Sequence, residues 1–439
     1  MAKFSITGGK PLYGSVRLGG AKNASYKIMI ASLLAGGESR LLNFSHIHDV
    51  TITRHIIESL GGNTRQAGER NIFINPQKLI SSTVADEYGP QSRASTMFLP
   101  ILLHRFGQAS VPAPGGDDIG TRPLGRHFDG LKSMGVTIKA DGNRIHAHAK
   151  KLKGVTYKFA KNTHTGTETL ILAAVRATGV TTLENAALEP EIDDLISFLN
   201  NMGANIRRRP GKIIQIQGVS KLKPAIHSIM PDRNEAVSYA CAAIATKGDV
   251  IVENADPHQL EAFLEKLEDI GAQYEIGSYG IRFFTKNSLK ATDITTKPHP
   301  GFMTDWQPLW TVLATQLQGE SIIHETIFPN RFQHVDGLNQ RGANINHHQV
   351  SVDNPSKTYN FNIANDSASK PHAIKVQGPT PLKATKTQVY DLRSGATMVL
   401  AALIAPGQSI LEKVELIDRG YESFDQRLRS LGADIKRLD

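Results

Sequence analysis

A single cysteine in 439 residues is the first constraint this chain sets. Cys241 alone can form neither an intrachain disulfide nor a cysteine-based metal site. It lies in Tyr239-Ala240-Cys241-Ala242-Ala243, a mostly apolar run that reads as a buried helix. The chain also lacks any run of 18 apolar residues, so no membrane insertion is expected. Met1-Ala2-Lys3-Phe4 opens no signal-peptide apolar region, and a cytoplasmic location is expected. Histidines with acids at ligand spacing are missing too. His347-His348 are expected to face solvent, and no metal is expected.

Charge is not concentrated either. The formal net charge is +9, but the tightest basic group is Arg207-Arg208-Arg209, beside Pro210-Gly211 in what reads as a solvated hairpin turn. A nucleic-acid partner requires a basic face with reading or stacking groups, and no such motif is present. A positive balance does suit small anionic substrates. At this length one hydrophobic core is insufficient, and two domains of near-equal size are expected.

What the chain does have is a repeat. Six times a helix-like segment runs into Gly and then a β-branched or polar stretch: Leu60-Gly61-Gly62, Met134-Gly135-Val136, Met202-Gly203-Ala204, Ile270-Gly271-Ala272, Arg341-Gly342-Ala343 and Leu431-Gly432-Ala433. The marks recur at intervals of 74, 68, 68, 71 and 90 residues. In the copy from Thr181 to Gly218, Thr182 to Asn185 reads as a strand. Pro190 then opens a helix with Ile192, Leu195, Ile196 and Leu199 on one face. Gly203 ends that helix, and two strands follow around Pro210-Gly211.

A more uniformly apolar helix precedes each of these segments: Ile28 to Gly37, Ala94 to Gly107, Leu170 to Gly179, Ala236 to Gly248, Pro308 to Gly319 and Ala396 to Gly407. Helices apolar on most faces are core helices. The expected architecture is therefore α/β, with six βαβαββ-like units, three per domain, and small sheets enclosing buried helices. Polar residues recur at the starts of those helices: Lys22-Asn23, Arg93, Arg233, Asp305 and Arg393. Open N–H groups and the helix dipole there suit phosphate or carboxylate ligands in an interdomain cleft.

Along the whole chain run Gly19-Gly20-Ala21-Lys22-Asn23-Ala24, Arg93-Ala94-Ser95, Pro114-Gly115-Gly116 through Ile119-Gly120-Thr121-Arg122-Pro123, Pro231-Asp232-Arg233, Thr304-Asp305, Asn330-Arg331-Phe332, Asp391-Leu392-Arg393 and Asp418-Arg419-Gly420-Tyr421-Glu422. In this order and spacing the sequence closely resembles the UDP-N-acetylglucosamine 1-carboxyvinyltransferase family. The resemblance implies a two-domain inside-out α/β barrel. Residues 22–231 would form one domain carrying an active-site loop at 111–123, and residues 1–21 with 232–439 the other. It implies transfer of the enolpyruvyl group of phosphoenolpyruvate to the sugar 3-hydroxyl, in bacterial peptidoglycan synthesis, with no cofactor. No protein partner is implied.

Residue roles follow from the same resemblance. Lys22, Arg122 and Arg419, with Arg393 assisting, would hold the phosphate and carboxylate region, where guanidinium forks match planar and tetrahedral anions. Asn23 would contact the reacting centre. Asp305 would be the base for the sugar hydroxyl; on its sequence context alone it could equally cap a helix. Asp391 shares that ambiguity, as substrate contact, as orienter of an arginine, or as cap. Arg93, His127, Lys161, Thr163, His164 and Thr165 would lie on the nucleotide side, and Ile327 and Arg331 on the sugar side. His127, taken without the resemblance, reads as a surface residue.

This sequence departs from the family in three places. Thr163-His164-Thr165-Gly166 is bulkier than the usual small-residue turn, and Pro329 replaces a common Glu. Asp117 stands where most members have a loop Cys. Both residues can carry a proton, with reference pKa values of about 8.5 for Cys and 3.9 for Asp. Protonation of Asp117 near neutrality requires an upward shift; loop closure, Asp118 and substrate anions act in that direction, and Arg122 against it. Asp117 is expected to be the general acid at C3. The sequence leaves two alternatives open: a non-catalytic sugar-nucleotide-binding paralogue, and a shikimate-type transferase, which usually has Lys-Ser where this chain has Lys22-Asn23.

Overall fold

A computed structural model describes residues 2–115, 124–363 and 371–438. All six glycine marks adopt left-handed backbone, with φ of +93° at Gly61, +94° at Gly135, +96° at Gly203, +82° at Gly271, +91° at Gly342 and +94° at Gly432. A side chain is strained there, which is why glycine closes each helix. The second set of glycines is less uniform. Gly107, Gly179, Gly319 and Gly407 also have positive φ, whereas Gly248 leaves that conformation to Lys247. At Gly248 a Cβ would lie 2.1 Å from the Leu12 carbonyl oxygen, so close backbone approach selects glycine.

Each unit builds one small sheet: five have four strands and one has three among the described residues. The third unit shows the pattern. Thr156–Lys158 runs parallel to Val180–Glu184, which pairs antiparallel with Ile213–Gln217, itself antiparallel to Asn205–Arg209. Leu183 opposes Ile214, and both are fully buried. Arg207-Arg208-Arg209 thus belongs to a strand rather than the turn, and Arg208 pairs with Asp193 and donates to the Ala187 carbonyl.

The described residues separate into two compact units, one of residues 2–18 with 231–363 and 371–438, the other of residues 19–115 with 124–230. Strand pairing explains the division. Ile226–Ser228 returns to pair with Ser39–Leu42 inside the second of these units. Lys3–Gly8 inserts between Gly407–Glu412 and Asp434–Leu438, and Tyr13–Arg17 runs along Asp249–Glu253. Each unit has its own apolar core.

Core helices begin earlier than hydropathy alone suggests. The helix expected from Leu170 spans His164–Ala174, and the one expected from Ala236 spans Arg233–Ala245 with every residue buried. Their first turns are polar, so the apolar pattern starts a turn late. The Ala94–Gly107 segment is two helices, Ala94–Met97 and Leu99–Phe106, with Pro100 in the first turn of the second, where a missing N–H costs nothing.

Candidate active site

In the unit of residues 19–115 and 124–230, the Lys22–Ser32 helix starts at Ala21 without a side-chain cap. The chain enters through Gly20, where a Cβ would lie 2.0 Å from the Asn43 carbonyl oxygen. Lys22 Nζ meets Asp49 Oδ2 at 2.9 Å, and both side chains are largely buried. The ammonium is thereby fixed at the helix start, with half-buried Asn23 beside it.

A second group forms where the His164–Ala174 helix begins. Thr163 is its N-cap, and Thr163 Oγ1 accepts from Gly166 N at 3.2 Å. A Cβ on residue 166 would lie 2.5 Å from Thr163 Cγ2, so the shifted glycine permits this cap. The segment read as a turn is therefore the first turn of a helix. His127 Nε2 lies 2.9 Å from Thr165 Oγ1. His127 is buried, which corrects the surface reading. Burial, then Arg93 and Arg126, push its pKa down to about 4, so the ring is neutral at neutral pH. Arg126 donates to the Asn162 carbonyl at 3.0 Å, and Lys161 is lowered by burial and by Arg126. Arg93, His127, Lys161, Thr163 and Thr165 thus converge on one helix start. Arg126 joins them, although no sequence signal singled it out.

In the other unit Asp305 lies between two arginines. Arg331 Nη2 is 2.7 Å from Oδ1 and Arg393 Nη2 is 3.4 Å from Oδ2. The neighbouring helix Gln307–Ala314 has Trp306 at its N-cap position and no side-chain cap, so Asp305 is not the cap. Asp391 does cap. Its Oδ1 accepts from Arg393 N at 2.9 Å and Ser394 N at 3.1 Å, in a capping box with Ser394. This fixes the backbone that carries Arg393.

Burial would lower the pKa of Arg393, yet Tyr421, Asp305 and Asp232 together raise it, so the guanidinium stays charged. Its Cζ lies 5.2 Å from the Tyr421 ring centre, while Nε and Nη1 are buried without a protein hydrogen bond. Such donors suit an anion. Arg419 ends the 3₁₀ segment Val414–Arg419 and is half-buried. Asp117 and Arg122 lie outside the described residues.

Glu325 was missed by sequence reading. It is 1% exposed, and Oε1 accepts from Ile327 N at 2.7 Å, Phe328 N at 3.1 Å and Thr296 Oγ1 at 3.0 Å. Oε2 accepts from Thr304 Oγ1 at 2.9 Å. One carboxylate therefore ties the residue before Asp305 to the Ile327 backbone. Burial raises its pKa against the pull of Arg331 and these donors. Glu325→Ala should destabilise the fold by about 2 kcal/mol, because buried N–H groups lose their acceptor. Glu325→Gln should recover most of that, since its amide oxygen still accepts. Equal denaturant midpoints for wild type and Glu325→Ala would refute this role.

Residues 6–428 match the family of EPSP synthase (3-phosphoshikimate 1-carboxyvinyltransferase). The UDP-N-acetylglucosamine 1-carboxyvinyltransferase of Acidobacterium capsulatum is 42% identical, covering 100% of this chain and 96% of that protein. The protein of the same name from Halothermothrix orenii is 38% identical over the full length of both. Among solved structures, the enolpyruvyl transferase NikO from Streptomyces tendae superposes with a TM-score of 0.85 at 22% identity, covering 100% of this chain and 99% of that one. EPSP synthase from Acinetobacter baumannii reaches 0.72 at 17% identity with full coverage of both. The solved structures carry the likeness of fold, two-domain α/β of the enolpyruvyl transferase type. The full-length sequence identities carry the rest: this chain belongs to the UDP-N-acetylglucosamine 1-carboxyvinyltransferase family.

Proposed function

We propose that this chain transfers the enolpyruvyl group of phosphoenolpyruvate to the 3-hydroxyl of UDP-N-acetylglucosamine, releasing phosphate in bacterial peptidoglycan synthesis in the cytoplasm. The observation that carries this reading is Asp305, held by Arg331 and Arg393 in a chain 42% identical to a transferase of that name.

On this reading Asp305 accepts the hydroxyl proton as the sugar oxygen bonds to C2 of phosphoenolpyruvate. The C2=C3 electron pair takes a proton at C3, supplied by Asp117. The tetrahedral intermediate then loses a C3 proton, whose C–H electron pair re-forms the C2=C3 double bond as phosphate departs with the C–O electron pair. Lys22, Arg122, Arg393 and Arg419 hold the carboxylate and phosphate while charge moves between them. Asn23 contacts the reacting centre. The convergence of Arg93, His127, Lys161, Thr163, His164 and Thr165 supports a diphosphate and nucleotide role for that helix start. Neutral His127 serves there as a hydrogen-bonding group. Ile327, Arg331 and Asp391 serve the sugar side.

In deuterium oxide the product vinyl group should carry deuterium, because C3 passes through a methyl stage. Product formed without vinyl deuterium contradicts addition–elimination. A second expectation concerns fosfomycin, which inactivates family members by alkylating the loop cysteine. A carboxylate is a far weaker nucleophile than a thiolate, so no time-dependent inactivation is expected. A stable drug adduct within residues 111–123, found by mass spectrometry, would refute it.

A further inference from the structure

Behind the first turn of the His164–Ala174 helix lies a charged cluster that the reaction as described does not use. Lys27 is 1% exposed and Glu168 is fully buried. Lys27 Nζ lies 2.5 Å from Glu168 Oε2, His164 Nε2 lies 3.2 Å from Glu168 Oε1, and Lys27 Nζ and His164 Nε2 are 3.3 Å apart. One carboxylate thus lies within ion-pair distance of a lysine and a histidine, and Lys27 can donate to Nε2 only while the ring is neutral. Burial of such a group is costly unless charges balance. Glu189 and Glu191 are also buried and act electrostatically on this pair. An imidazolium at residue 164 would pair with the Glu168 carboxylate.

Building on the substrate reading above, we propose that Lys27 and Glu168 position His164 as an imidazolium beside the diphosphate, so that affinity for UDP-N-acetylglucosamine falls when that ring loses its proton. The first turn carries an independent mark of a ligand: His127 is 7% exposed, and its Nδ1 has no protein hydrogen bond while Nε2 meets Thr165. His164 shares that turn. Its side chain keeps 21% exposure, enough to leave one edge open to an anion.

From the Lys22–Ser32 helix come Lys27, with Tyr26 beside it. Glu168 comes from the same helix as His164, Glu189 and Glu191 from the start of the Pro190–Asn201 helix. Around the first turn stand His127, Arg126, Arg93 and Lys161. Burial opposes a charged His164 and Lys27 repels it, but Glu168 and Glu189 outweigh both and raise its pKa above 6.5. A raised histidine value means the charge is complete at low pH and is lost as pH rises through that higher value. His127, already neutral above about 4, does not change over that window.

The test has two parts, both on the full chain. NMR of the unliganded protein should show the His164 ring titrating above about 6.5. Calorimetric titration with UDP-N-acetylglucosamine from low to high pH across that transition should show the wild-type Kd weakening at least about fivefold, a modest share of a charge-assisted hydrogen bond. His164→Val should bind more weakly at low pH and lose that pH dependence. Lys27→Met/Glu168→Gln, which removes both partners together, should bring the ring back toward its ordinary value and move the Kd profile with it. A ring titrating at or below about 6.5 overturns the proposal, and so does a His164→Val profile parallel to wild type. A wild-type protein that binds no UDP-N-acetylglucosamine at any pH overturns the substrate reading as well; retained but pH-independent binding overturns this inference alone.

Discussion

Asp305→Asn is expected to lower kcat about 10³-fold, within the range of general-base contributions, with a much smaller change in KM for either substrate. The side chain keeps its shape and can still accept from Arg331, but it cannot take the hydroxyl proton. An alcohol is a poor nucleophile without that transfer. A second consequence follows from the ion pairs at 2.7 and 3.4 Å. Without the carboxylate, the two buried guanidiniums lose the countercharge they share, so the variant should also melt earlier. Near-ultraviolet circular dichroism below the transition separates lost chemistry from lost fold. A folded Asp305→Asn protein turning over within tenfold of wild type would remove Asp305 as the base.

Asp117→Asn should lower turnover at least ~100-fold. The proton needed at C3 must come from a group that is protonated when the sugar oxygen attacks. Asn has the size of Asp but no transferable proton. The complementary substitution is more discriminating. Asp117→Cys keeps a proton carrier with a pKa nearer neutrality, so it should retain turnover and acquire time-dependent inactivation by fosfomycin. Near-normal turnover of Asp117→Asn would show that the proton has another source. Because Asp118 is adjacent, pH profiles of wild type and Asp118→Asn should be read as those of a coupled pair.

Much of the fold was readable because the same physical demand recurs six times. A helix packed on a small sheet must stop sharply, and a left-handed residue does that, so glycine marks every copy. Alternation at Ile214 and Ile216 and the 3.6-residue face from Ile192 to Leu199 likewise matched burial. Helix starts were less legible. At Thr163-His164-Thr165-Gly166 the cap and first turn are polar, and their helical state depends on packing that hydropathy does not record.

The site was less readable still. Lys27 and His164 are 137 residues apart, and Asp305 and Arg393 are 88 apart. No periodicity links such pairs. Asp305 and Arg393 were found through family resemblance. Lys27 was hidden as a charged residue within an apolar helix, and Glu325 as an acid within a strand ending. In each case the function of the residue is set by what the fold places opposite it. Asp391 shows the converse: its sequence context offered a cap, and a cap is what its oxygen makes.

The most direct test is an acceptor comparison, in which phosphate release from phosphoenolpyruvate by the purified full chain is measured with UDP-N-acetylglucosamine and separately with shikimate 3-phosphate. The account predicts stoichiometric phosphate and enolpyruvyl sugar nucleotide with the first acceptor and neither product with the second. Release with shikimate 3-phosphate, or tight binding of UDP-N-acetylglucosamine without any release, would contradict it.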